Sequence, residues 1–176
     1  MMNRREAIAS LALLAGGIWI TKSCAPAAGE ASIVLQNYSL SKADEELLAM
    51  LVRSIMPLDG TEPDDIKNLH LFVMKMVDDC HSAEEQKQFV DGLKSLKNGG
   101  WETKDLGKAK PFSEATEAER MALVGDLNRA DDAVLKSFFE ITKRRTIQGY
   151  TNSEYLMKGR GTYELIPGRY NGYAKV

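Results

Sequence analysis

The residues of this 176-residue chain with the strongest ligand chemistry stand together: Asp78, Asp79, Cys80 and His81, with His70 earlier in the same run. A thiolate, imidazoles and carboxylates are the donors a transition metal takes. The spacing works against that use, because consecutive helical residues point about 100° apart and cannot converge on one ion. No Cys or His spacing here fits a zinc pattern, so the cluster reads as a helix end with polar caps. Cys80 falls on an apolar stripe, where a thiol is buried and inert. With only two histidines, both in the helical body, no Ser–His–Asp or Cys–His set can be assembled. Gly159, Gly161, Gly168 and Gly172 lack the strand and helix that a phosphate-cradling loop needs. These residue types predict a non-catalytic chain with no metal or cofactor site of its own.

The N-terminus carries a different kind of signal. Arg4 and Arg5 precede an apolar run from Ile8 to Ile20, whose rise of about 20 Å falls short of a hydrocarbon core of about 30 Å. Residues 1–23 therefore read as a signal peptide. The arginine pair suggests the twin-arginine route, which carries folded proteins. Ala7 stands where that signal usually has a bulky apolar residue, so a general secretory signal is the alternative. Two fates are open to Cys24: lipidation at the processing point, or no lipid, with Lys22 the awkward residue before it. Cys24 and Cys80 can pair as a disulfide, Cys80 left odd by lipidation of Cys24 can pair with another chain, or Cys80 can remain a buried free thiol. Residues 24–40, with their Ala- and Gly-rich start, read as a tether.

The elements that follow are helical. Ser41 with Asp44 and Glu45 opens a helix with the stripe Leu47, Leu48, Leu51, Val52 and Ile55, ended by Pro57. A second starts around Pro63 with Leu69, Phe72, Val73, Met76, Val77 and Cys80 at helical spacing. Ser82 with Glu85 is a capping box ahead of Phe89, Val90, Leu93 and Leu96, and Gly99 and Gly100 stop that helix. Thr116 with Glu119 repeats the box before Met121, Val124 and Leu127. Asp131 and Asp132 start a helix carrying Val134, Leu135, Phe138, Phe139 and Ile141, and Lys143, Arg144 and Arg145 read as its solvated end, with contact to an acidic patch of a partner as the alternative. The expectation is an all-α small bundle of about five helices, one domain over residues 41–176, with an irregular tail. Tyr163 to Ile166 is the one stretch that suits a short extended piece. A net charge of −2 gives no electrostatic case for nucleic acid.

The tail, residues 144–176, holds five of the six tyrosines together with arginine and glycine, the composition of an interface. The run TIQGYTNSEY and the later IPGRYNGY resemble the C-terminal signature of the gluconate 2-dehydrogenase subunit 3 family, and NRREAIASLALLAGG resembles that family's leader. The resemblance implies a small, cofactor-free partner of a secreted flavoprotein dehydrogenase of the glucose-methanol-choline type, which oxidises a sugar, sugar acid or glycoside. FAD and the catalytic histidine would belong to that large subunit. Electrons would leave to a cytochrome c or another acceptor. The location implied is the periplasm or cell envelope. Contact residues expected on this reading are Tyr150, Tyr155, Arg160, Tyr163, Pro167, Arg169 and Tyr170; the alternative is that the tyrosines cover the chain's own helices. The alternative function is a membrane-anchored envelope binding module.

Overall fold

The computed structural model describes residues 29–58, 60–99, 111–127 and 132–159. In chain order these form α1 (Lys42–Ile55), α2 (Asp64–Lys67), α3 (Leu69–Cys80), α4 (Ala83–Lys97), a 3-10 turn (Phe112–Glu114), α5 (Glu117–Leu127), α6 (Ala133–Thr151) and α7 (Glu154–Gly159). The all-α expectation holds, with five long helices among the described residues. Arg4, Arg5, Cys24 and the stretch from Tyr163 to Ile166 lie outside the described residues.

Helix starts follow local chemistry. Ser41 and Asp44 bond reciprocally at the head of α1, as do Ser82 and Glu85 at α4. At α5, the Thr116 N–H donates to Glu119 and the Glu119 N–H to the Thr116 hydroxyl. Asp132 caps α6 by accepting from the N–H groups of Val134 and Leu135. Each cap satisfies donors that the first helical turn leaves without partners. The single helix expected from Pro63 is divided: α2 ends after one turn, and Asn68, at φ −106°, starts α3 afresh.

α6 is the axis of the bundle, packed against α4 and α3. Two glycines allow the approach. A Cβ added at Gly92 of α4 would lie well inside contact distance of the Phe138 Cβ. One added at Gly149 of α6 would come 2.7 Å from Phe72 Cδ1 and 2.9 Å from Leu69 Cδ2. Where α4 and α6 meet, Phe89 and Phe138 stack with ring centroids 5.2 Å apart. α1 lies across α3, α4, α5 and α6, and closes the core with Leu48 and Leu51.

The buried faces differ from the predicted stripes on three helices. α3 buries Leu69, His70, Val73, Met74, Val77 and Asp78, which leaves Phe72 and Met76 at the surface or half-buried and Cys80 an exposed free thiol. The core stripe assigned to Cys80 is therefore corrected. On α5, Leu123 and Leu127 are buried while Met121 is exposed; on α6, Val134 is exposed. α6 also continues through Lys143, Arg144 and Arg145, so these are mid-helix residues and not a helix end.

Residues 29–40, expected as a tether, lie against the bundle. With Ser41 they form a loop whose ends are joined by the Ala31 N–H to the Leu40 carbonyl, 3.1 Å, and the Lys42 N–H to the Gly29 carbonyl, 3.0 Å. Two buried carboxylates hold it. Glu45 of α1 accepts from the Ser32 N–H and hydroxyl and from Lys42. Asp78 of α3 accepts from the N–H groups of Gln36 and Asn37 and from Lys75. The Tyr38 hydroxyl donates to the Met74 carbonyl, 2.8 Å, and its ring meets Phe89 edge-on.

Replacing Gly92 by Ala should destabilise the bundle by about 1–3 kcal/mol through overpacking against Phe138, even though Ala favours a helix interior. Gly125 of α5, with no atom within 4 Å of an added Cβ, should instead gain up to about 1 kcal/mol as Ala. Urea unfolding of both variants checks the contrast, and equal midpoints would contradict the packing described.

Candidate partner-binding surface

The signature run TIQGYTNSEY forms the end of α6 and the start of α7. The tail assigned to residues 144–176 is thus helical as far as Gly159, apart from the turn at Asn152 and Ser153. Each residue of that turn has a bonding role. The Asn152 N–H and side-chain amide both donate to the Gln148 carbonyl, at 3.1 and 2.9 Å. The Ser153 hydroxyl donates to the Tyr150 carbonyl, 2.7 Å, and accepts from the Leu156 N–H, 3.2 Å. These bonds close the last turn of α6 and open the first turn of α7, which sets the direction of α7 relative to α6. Glu154 and Lys158 pair along α7.

Two turns earlier, Arg145 ties α6 to the joint between α3 and α4. Its guanidinium reaches His81 Nε2 through Nε at 3.1 Å and through a terminal nitrogen at 3.0 Å, and donates to Gln148 Oε1 at 2.7 Å. The His81 side chain is 2% exposed, and its Nδ1 lies 3.5 Å from a Glu85 oxygen. The buried Gln86 amide lies 3.0 to 3.2 Å from the carbonyls of Val77, Asp78 and His81. Asn37 adds a bond to the Asp78 carbonyl. Two of the last carbonyls of α3, those of Val77 and Asp78, are thereby satisfied from α4 and the N-terminal loop. The expected reading of the Asp78–His81 cluster, a helix end with polar caps, matches this geometry. Among the described residues, no group of three or more His, Cys, Asp or Glu side chains is placed to hold a metal ion.

Of the residues expected to contact a partner, Tyr150 and Tyr155 are described. Tyr150 is half-buried and packs on the core, whereas Tyr155 is 40% exposed. Arg160, Tyr163, Pro167, Arg169 and Tyr170 lie outside the described residues. The structure adds surface residues that periodicity did not single out. Ile147 is 41% exposed; it sits about 200° around α6 from Gly149, on the side away from α3. The exposed Arg144 and Thr151 share its side. Phe72 of α3, beside Gly149, is 36% exposed. An apolar residue rimmed by arginine and threonine can bury area and give directional polar contacts to a protein partner.

The gluconate 2-dehydrogenase subunit 3 family matches residues 42–168. The chain belongs to this family. The match covers the bundle, the α6–α7 junction and the tail as far as Gly168, so the subunit 3 region includes every helix described and stops just before Arg169 and Tyr170. The N-terminal loop of residues 29–41 precedes it, although both carboxylates that hold the loop lie inside. No curated protein and no solved structure matches the chain.

The titrating groups give a signed prediction. Burial pushes His70 and His81 below the ordinary histidine range; Arg145 adds to this at His81, and Glu45 opposes it at His70 without reversing it. Histidines of the unfolded chain protonate near about pH 6.5, so just below that pH the unfolded state binds more protons than the folded state. Stability from these groups is complete above that value and falls as pH drops towards the folded pKa values. Burial also disfavours charge on Glu45 and Asp78, but the hydrogen bonds they accept outweigh it and hold both below the usual carboxylate range. Their contribution is lost only at lower pH. The urea midpoint should fall first between about pH 6.5 and 5, then again below about pH 4. The first fall should be absent from a His70→Gln/His81→Gln variant. A midpoint that rises from pH 7 to pH 5.5 would contradict this account.

Proposed function

We propose that this chain is the non-catalytic small subunit of a periplasmic FAD-dependent dehydrogenase of the glucose-methanol-choline type, oxidising a sugar, sugar acid or glycoside. Membership of the subunit 3 family over residues 42–168 carries the reading, because it makes the chain one subunit of an oxidoreductase complex that also has a catalytic partner. The surface supports it: Ile147, Arg144 and Tyr155 face solvent beside a junction whose hydrogen bonds fix where the tail begins. On this reading the helical body docks on the large subunit and the tail, with Arg160, Tyr163, Pro167, Arg169 and Tyr170, packs along it. FAD, the reacting histidine and electron transfer to a cytochrome or other acceptor then belong to the rest of the complex. A leader with Arg4 and Arg5 lets this subunit carry a folded partner through the twin-arginine route, and Cys24 is the position at which a lipid would hold the complex to the membrane.

Deletion of the chain from its native cell should remove dye-linked sugar or sugar-acid oxidation from the envelope fraction and leave the flavin subunit unstable or in the cytoplasm. The wild-type chain should restore the activity. An Arg169→Ala/Tyr170→Ala variant should fail to restore it while keeping its far-ultraviolet helical signal. Undiminished envelope oxidation after deletion would overturn the proposal.

A further inference from the structure

The His81–Arg145 contact has a chemical requirement that most helix–helix contacts lack. Arginine has only donors to offer, and two of its nitrogens lie within 3.1 Å of His81 Nε2. That nitrogen must therefore present its lone pair, which makes the imidazole neutral with its proton on Nδ1. A second proton would occupy the lone pair and set an imidazolium against a guanidinium in a site where the histidine side chain is 2% exposed.

The surrounding charges do little to offset this. From α4, Glu85 faces Nδ1 at 3.5 Å and is itself 45% exposed, so solvent weakens its pull. From α6, Arg145 is in contact and Arg144 adds a further positive charge. Asp78, three residues back on α3, has its carboxylate engaged by Gln36, Asn37 and Lys75. Loss of the Arg145 contact would be felt further along α6. The same guanidinium holds Gln148 Oε1, and the Gln148 carbonyl takes both bonds from Asn152, the first residue of the junction that starts α7.

We infer that His81 and Arg145 form an acid-sensitive joint: protonation of His81 displaces Arg145 and loosens the end of α6 together with the α6–α7 junction, while the rest of the bundle stays folded. The depressed pKa of His81, caused first by burial and then by Arg145, places the transition below the ordinary histidine range. Any effect on docking of a flavin partner rests on the function proposed above. The joint itself is a property of this chain alone and is tested without a partner.

The test is amide hydrogen exchange of the purified chain at pH 7.5 and pH 5.0, corrected for intrinsic rates and referenced to α1. Amides of residues 147–156 should open on the order of tenfold more at the lower pH. His81→Gln places a non-titrating acceptor where Nε2 stands and should abolish the acid response. His70→Gln, which leaves the joint intact, should retain it. An equal acid response in wild type and His81→Gln, or none in wild type, would overturn the inference. Histidine titration by magnetic resonance is the second measurement and does not depend on the His81→Gln variant folding. Arg145→Gln should raise the His81 midpoint, and an unchanged midpoint would overturn the proposal.

Discussion

The close approach of α6 to α4 and α3 is the constraint on which the other features depend. Phe138 sits where a side chain at Gly92 would have to be, and Phe72 and Leu69 occupy the space beside Gly149. Because interiors are packed to crystal density, a methyl at Gly92 forces α4 and α6 apart at the Phe138 Cβ, and one at Gly149 forces the side chains of Phe72 and Leu69 aside. Core packing and presentation of the outer surface are thus set by one helix. Its N-terminal half meets α4 through Phe138, and its C-terminal half meets α3 through Gly149 before turning out at Asn152.

Charge buried in the bundle serves attachment. Glu45 and Asp78 are 3% and 1% exposed, a placement that is costly unless each oxygen has donors. Here the donors are backbone N–H groups of the 29–41 loop, which would otherwise lie against α1 and α3 without partners. Loop and carboxylate satisfy each other. The acidic and imidazole groups that invite a metal or catalytic reading from sequence are accounted for in this way: Asp78 by the loop, His70 beside Glu45, and His81 by Arg145.

The sequence made legible whatever depends on local chemistry. The capping pairs Ser82 with Glu85 and Thr116 with Glu119 stand where expected, because a cap needs only residues three apart. Facing was harder to read. α3 is apolar around much of its circumference, so Phe72, Met76 and Cys80 form as good a stripe as Val73 and Val77; the buried face is the one that carries Asp78, whose bond to the loop is long-range and recorded by no helical period. The chain before α1 read as a tether because its start, Ala25 to Ser32, is rich in Ala and Gly, and its two anchoring carboxylates are distant in sequence. Gly149 and the tyrosines made residues 144–159 look irregular, whereas the glycine is helical and needed for contact with α3. Of the candidate contact residues, Tyr155 was legible from type alone. Ile147 was not, since its exposure depends on which side of α6 the core occupies.

Purification of the tagged chain from its native envelope under gentle conditions, with an absorption spectrum of the eluate, tests whether this chain is the partner of a flavoprotein. A larger chain should be recovered in stoichiometric amount, bringing a flavin spectrum. A colourless protein recovered intact and alone would contradict that partnership and favour a free-standing binding module of the envelope.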